Sequence, residues 1–248
     1  MIDLKGQTAI VGGGAGEIGA ATARALAELG ARVWIMDRDG ARVERVRGEL
    51  AGDGLEVRST EADLTSATAV QETVDAAISE WGRIDIAVNT VGWTDARPFV
   101  SEDEAYWRRI VDVNLMSAVF LTSRVLPHMQ RQRYGRIVLV SSLAGRIGRR
   151  ERVLYSACKA GVIGFAKAVA LEVAPQEVTV NCIAPGATDT ALMRAQGDAN
   201  TEFALAGIPR GRFAAPEDQA RGIAFLASPA AAQITGQTLA IDGGATMV

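Results

Sequence analysis

The chain has 248 residues, 48% of them hydrophobic, and a formal net charge of −3. That length and apolar content suit one large α/β domain with a sizeable core, and the slight negative charge gives no electrostatic reason to expect nucleic acid. No apolar run reaches the roughly 18 residues of a membrane span and no signal-peptide pattern opens the chain. The two cysteines, Cys158 and Cys182, read as small buried fillers in a reducing cytoplasm, and one histidine without a Cys/His cluster gives no support for a metal site. No linker, charge block, low-complexity tract or repeat divides residues 1–248, so one domain is expected.

The first element is a short β-branched run, Thr8-Ala9-Ile10-Val11, entering Gly12-Gly13-Gly14-Ala15-Gly16-Glu17-Ile18-Gly19, with an Ala/Leu-rich helical pattern to Leu29. Glycines let the backbone turn sharply and come close to a pyrophosphate. The helix N-terminus then offers free N–H groups and the positive end of its dipole. A second β run over 31–36 ends in Asp37, about 20 residues after the glycines, where a carboxylate can accept hydrogen bonds from an adenosine ribose. An ordinary tight strand-to-helix turn would explain the glycines alone, but not strand, glycines, helix, strand and acid in one unit.

The alternation continues. Strand-like runs cover 56–63, 84–90, 136–142, 178–185 and 238–242; helix-like stretches cover 42–50, 66–81, 102–129, 155–173 and 216–227. Such alternation predicts right-handed crossovers and a doubly wound, mostly parallel sheet with helices on both faces. Ligands bind beyond the carboxyl ends of such strands. Asp37, Asp63, Asn89, Ser142 and Pro185-Gly186 all fall there; each alone could be a cap or turn former, but together they outline one crevice. Trp34 and Trp81 read as packing, and His128 as a surface residue.

Tyr155-Ser156-Ala157-Cys158-Lys159 lies downstream of Ser142. If Tyr155 opens a helix, Lys159 lies one turn later on the same face. A phenol of pKa about 10 is a poor acid–base group near neutral pH. A neighbouring cation favours the phenolate and brings it towards the working range.

These pieces resemble the short-chain dehydrogenase/reductase family along essentially the whole chain. The glycine start, Ala62-Asp63-Leu64, Asn89-Thr90-Val91-Gly92, Val113-Asn114-Leu115, Ser141-Ser142, Tyr155-x-x-x-Lys159, Pro185-Gly186 and Asp242-Gly243-Gly244 occur in the family's order. The resemblance implies a Rossmann-type α/β domain and an NAD(P)-dependent oxidoreductase. Tyr155 would be the general acid/base, Lys159 would bind the nicotinamide ribose and acidify Tyr155, Ser142 would orient the substrate oxygen, and Asn114 would hold a relay water. Gly13, Glu17, Ile18 and Gly19 would border the cofactor's phosphates. Asp63 and Leu64 would face the adenine, and Asn89 with Gly92 would support the adenosine side. Pro185, Gly186, Thr188 and Thr190 would meet the carboxamide or phosphates. Of the adjacent serines, Ser142, 13 positions before Tyr155, is the catalytic one, leaving Ser141 structural. The family is commonly tetrameric, so a homotetramer is expected, as is a lid around residues 190–212.

Two departures stand out. The family's start usually has threonine at position 12 and glycine at position 17; here they are Gly12 and Glu17. A carboxylate is favourable at a helix start but repels a pyrophosphate, so the Glu17 side chain is expected to turn away, with Gly16 supplying flexibility. Thr90 and Val91 fill the middle of the family's Asn-Asn-Ala-Gly, a turn expected to persist with changed packing.

Asp37 should repel a 2′-phosphate, so NAD is preferred over NADP, although Arg38 follows it. Between Ser142 and Tyr155, Arg146, Arg149, Arg150 and Arg152 lie in a loop bordering the substrate mouth. They could hold an anion or the nucleotide of a coenzyme A thioester, or simply be solvated. Trp93 and Phe99 could wall the site. Several segments resemble dehydrogenases of alicyclic hydroxyacyl-CoA compounds, such as 2-hydroxycyclohexanecarboxyl-CoA dehydrogenase. The leading expectation is thus an NAD-dependent dehydrogenase of a secondary alcohol, with an anionic or CoA-linked alicyclic hydroxyacyl compound as the candidate substrate. The alternatives are an NADPH-dependent 3-oxoacyl or ketone reductase and a non-catalytic nucleotide-binding regulator.

Overall fold

A computed structural model describes residues 2–194 and 205–247. Seven strands form one sheet, every adjacent pair parallel: β1 Thr8–Gly12, β2 Arg32–Asp37, β3 Val57–Glu61, β4 Ile86–Asn89, β5 Gly135–Val140, β6 Val178–Pro185 and β7 Thr238–Ile241, in the order β3-β2-β1-β4-β5-β6-β7. The order reverses at β1, which lies between β2 and β4. The topological switch point is therefore at the carboxyl ends of β1 and β4, where such sheets bind ligands.

The interior strands are β-branched runs buried on both sides, as parallel sheets require. Successive side chains enter opposite cores because strand side chains alternate. Val11, Ile35 and Val138 join the helices α1 Glu17–Glu28, α2 Gly40–Gly52 and the late helix Pro216–Leu226 on one face. Ile10, Met36 and Leu139 join α3 Ala67–Trp81, the helix Ser117–Gln132 and the helix Val153–Val173 on the other. Trp34 and Trp81 meet edge to edge in this second core at 5.3 Å, both buried, so they are packing residues.

The remaining helices are, in chain order, α4 Glu104–Val111, a π turn Asp112–Met116, α5 Ser117–Gln132, α6 Leu143–Ile147, α7 Val153–Val173, α8 Ala191–Arg194 and α9 Pro216–Leu226. The stretch expected as one helix over 102–129 is thus two α-segments joined through a π turn, and α7 starts two residues before Tyr155. Against the reading of apolar runs, Glu104–Gln132 is long and apolar enough to cross a bilayer by length and composition. Its apolar side is nevertheless spent on the protein: Ile110, Leu121, Val125 and Met129 are essentially inaccessible. The expected lid is described only at its ends, as α8 and residues 205–212; residues 195–204 lie outside the described residues.

Leu121 is 1% exposed in the second core. Leu121→Ala is expected to destabilise the chain by about 2–5 kcal/mol, read as a lower midpoint in denaturant unfolding.

Candidate active site

The glycine turn follows β1, and Gly13 adopts φ +79°, a left-handed conformation that glycine tolerates. The turn is held from β4 by an unexpected residue. Thr90 Oγ donates to the Gly12 carbonyl at 2.8 Å, and its amide donates to the same oxygen at 2.9 Å. A Cβ at Gly12 would stand 2.3 Å from Leu64 Cδ2, so the space of the absent side chain is filled by buried Leu64. The two departures at positions 12 and 90 are thereby joined: the hydroxyl missing from one strand end is supplied by the other. At Gly19 a Cβ would lie 2.0 Å from the Gly13 carbonyl oxygen, so no side chain fits there.

Helix α1 starts at Glu17, with its first helical bond from the Ala20 amide to the Gly16 carbonyl. The amides of Glu17, Ile18 and Gly19 precede that bond and face outward as first-turn donors, which suits a phosphate group. Asp37, at the end of β2, accepts from the Ala15 amide at 3.1 Å and from the Asp39 amide at 3.2 Å. It therefore lies beside the glycine turn and only partly buried, while Arg38 is exposed. These features fit an adenosine diphosphate group. Glu17 reaches across to the segment after β6: its Oε2 accepts from the Ala191 amide at 2.7 Å and its Oε1 from Arg194 at 2.8 Å.

Asp63 is exposed and accepts from Thr65 in a local turn. Asn89 is buried at the end of β4; its Oδ1 accepts from the Val91 amide at 2.8 Å and its Nδ2 donates to Ser117 at 3.2 Å, which keeps the following turn tight. At Gly92 a Cβ would lie 3.3 Å from Lys159 Nζ and 3.4 Å from Asn114 Oδ1, so glycine lets β4, α7 and the π turn converge. Asn114 is buried in that π turn, donates to the carbonyls of Trp93 and Ile110 and accepts from the Trp93 amide. π turns insert one residue per turn and often occur at functional positions.

Ser142 lies just past β5 and caps α6, its Oγ accepting from the Ala144 amide at 3.1 Å, which leaves its hydroxyl proton to donate. It hydrogen-bonds with Tyr155. Ser141 is buried and donates to the Lys159 carbonyl at 2.7 Å, tying α7 to β5 in a structural role. Lys159, 2% exposed, donates to Val140 O at 2.9 Å and Val91 O at 3.3 Å. Close packing of α6 on α7 supports it: a Cβ at Gly145 would stand 2.6 Å from the Lys159 backbone.

The electrostatics depart from expectation. Burial pushes the Tyr155 phenol above its ordinary 10; the Ser142 hydrogen bond and then the Arg152 charge oppose this. The Lys159 ammonium lies 5.9 Å from the Tyr155 ring centre and donates to backbone carbonyls. Burial also pushes Lys159 down, to about 8. The phenol is thus less acidic than expected, because burial outweighs the groups that favour its ionised form.

Thr188, buried beyond β6, donates to the Gly186 carbonyl and accepts from Gln219 Nε2 at 3.2 Å. Gln219 is fully buried on α9 and carries no sequence signal. Pro185 and Gly186 close β6; a Cβ at Gly186 would collide with Asp242 at 2.6 Å. Thr190 Oγ accepts from the Met193 amide at the start of α8. Trp93 is half-buried beneath Arg109 at 3.9 Å and edge-on to Tyr106 at 5.7 Å, while Phe99 is exposed and stacks on Trp107. Arg146 lies half-buried in α6 and Arg149 is exposed beyond it, close enough for its charge to act on Arg152.

A family profile described as "Enoyl-(Acyl carrier protein) reductase" matches residues 13–246. The chain is 37% identical over 247 residues, 100% of both chains, to the 3-oxoacyl-[acyl-carrier-protein] reductase FabG of Vibrio cholerae serotype O1. It is 38% identical over 249 residues to nodulation protein G of a Rhizobium species, again covering 100% of each. The crystal structure of gox2181 superposes with a TM-score of 0.94 at 34% identity, covering 98% of this chain and 96% of that one. Whole-length likeness and the convergence of Ser142, Tyr155 and Lys159 beside a dinucleotide-type turn agree: the chain belongs to the short-chain dehydrogenase/reductase family of NAD(P)-dependent oxidoreductases.

Proposed function

We propose that this single-domain enzyme interconverts a ketone and a secondary alcohol on a 3-oxoacyl-type substrate, with NAD(H) as its cofactor. The observation that carries the reaction is the meeting of Ser142, Tyr155 and buried Lys159 at the ends of β4 and β5. The substrate class rests on the relatives, several of which bear the name 3-oxoacyl-[acyl-carrier-protein] reductase at 36–38% identity. They support that reading better than the alicyclic CoA alcohol, and membership of an enzyme family removes the non-catalytic alternative. NAD rests on Asp37: a carboxylate beside the glycine turn accepts ribose hydroxyls and repels a 2′-phosphate. Names such as FabG do not themselves state a cofactor. Two free, buried cysteines suit a reducing cytoplasm, and exposed Trp107, Leu171 and Phe225 suit a homotetramer in which other copies cover them.

The nicotinamide, when bound, supplies or takes the hydride. The chain's own residues manage the oxygen and its proton. Ser142 donates a hydrogen bond to the substrate oxygen and orients it. Tyr155 gives its phenolic proton to that oxygen in reduction and takes one in oxidation. Burial holds the proton on the phenol, the form that donates in reduction. Lys159 holds the ends of β4 and β5 and presents its charge beneath the turn at Gly92; Asn114, on the other side of that glycine, is proposed to hold a water linking Lys159 to solvent. Trp93 lines the mouth, with Arg146 and Arg149 at its rim.

Tyr155→Phe should lower kcat for reduction of an acetoacetyl thioester by about 10²–10⁴, with the fold intact by circular dichroism; unimpaired turnover would refute the assignment. Asp37→Ala should erode the preference for NADH over NADPH by about tenfold in kcat/KM, and a wild-type enzyme that turns over NADPH better would refute the cofactor reading. Lys159 has a folded-state pKa of about 8 against 10.5 for an exposed amine. Across roughly pH 8–10 the unfolded chain binds a proton there that the folded chain has released, so this residue's contribution to stability rises with pH. Cys158 and Cys182, whose thiols burial pushes up, act in the opposite sense in wild type and variant alike. Denaturant unfolding at about pH 7.5 and 9.5 is expected to show wild type gaining relative to Lys159→Met as pH rises.

A further inference from the structure

The glycine turn carries one charged side chain that the reaction does not use. Glu17 is the first residue of α1, where the helix dipole and unpaired amides favour an anion. Its carboxylate is held by partners within the protein. One oxygen accepts from the Ala191 amide at 2.7 Å and the other from Arg194 at 2.8 Å, across sequence separations of 174 and 177 residues. Arg194 also pairs with Asp189 at 2.6 Å, so one guanidinium is shared by two carboxylates. The contact joins the two walls of the crevice: the start of α1 beyond β1, and the segment beyond β6 that begins at Gly186.

A dinucleotide's diphosphate seeks the same surroundings, namely the first-turn amides of α1 and whatever cation and amides the opposite wall offers. Glu17 already supplies an anion there. We propose that Glu17 is an internal stand-in for the diphosphate, which sets cofactor affinity by competing for Arg194 and the Ala191 amide. On this account, which rests on the cofactor-binding reading above, the bound diphosphate takes over Arg194 and the carboxylate swings aside. The pair is suited to such exchange, because both partners are substantially exposed, with side-chain exposures of 57% and 35%, and exposed ion pairs are weak and readily replaced. Release of Ala191–Arg194 from α1 then accompanies binding, so the same residue couples cofactor arrival to the position of that segment.

The full-length protein can be titrated with NADH, following the fluorescence of the bound nicotinamide, for wild type, Glu17→Gln, Glu17→Gly, Arg194→Ala and Glu17→Gln/Arg194→Ala. Removing the carboxylate's charge should lower Kd about fivefold in Glu17→Gln and at least as much in Glu17→Gly. Loss of a merely structural contact would move Kd the other way. Arg194→Ala should weaken binding more in the Glu17→Gln background than in wild type, because in wild type the arginine is already committed to Glu17. Unchanged or weaker binding by a Glu17→Gln protein whose thermal midpoint matches wild type would overturn the proposal and leave the cofactor reading standing. Failure of every variant and wild type to bind NADH or NADPH would overturn both.

Discussion

The ammonium of Lys159 is buried at the point where β4, β5 and α7 meet, and the geometry of the reactive end depends on it. It bonds the carbonyl that ends β5 and the carbonyl of Val91 just past β4. A charged group so enclosed is tolerated only with such partners, and burial still pushes it down to about 8. Three small residues make the approach possible: Gly92 above the ammonium, Gly145 against the backbone of its helix, and Ser141 bonding its carbonyl. With Lys159 fixed, Tyr155 is set one turn earlier on the same helix, and Ser142 at the end of β5 comes within hydrogen-bonding reach of it.

The cofactor end is organised by a different economy of space. Gly12 gives room to Leu64, and Thr90 supplies the hydroxyl that binds the turn to β4. Seen one position at a time, Gly12, Thr90 and Glu17 are three irregularities in the family's pattern. In the fold the first two touch, because the register pairs Gly12 with Asn89. Glu17 finds its partners far along the chain, at Ala191 and Arg194. The turn keeps its shape with altered residues, and the charge added at its edge is balanced within the protein.

The comparisons and the residues bear on different questions. Whole-length likeness to proteins named as 3-oxoacyl-[acyl-carrier-protein] reductases shows the family and is what the proposed substrate class rests on. Near the mouth, Arg97 and Arg109 lie over the rings of Tyr106 and Trp93, and Arg149 is exposed. Arg152 lies close enough to Tyr155 for its charge to oppose the effect of burial on the phenol.

The alternation of apolar runs and helical patterns was sufficient for a doubly wound parallel sheet, because period-2 and period-3.6 burial are written locally. The glycine turn, Asp37, Ser142 and the Tyr155/Lys159 pair were legible for the same reason: each is a short motif whose chemistry lies within a few residues. The π turn that carries Asn114, the short helix α6, the buried Gln219 behind Thr188 and the Glu17–Arg194 bridge were not. Their causes are contacts between residues tens to nearly two hundred positions apart, and no local pattern records which side chain will fill a neighbour's space. So too with proton affinity: sequence named the phenol and the amine, but their burial, set only when β4, β5 and α7 pack together, decided which way each pKa moves.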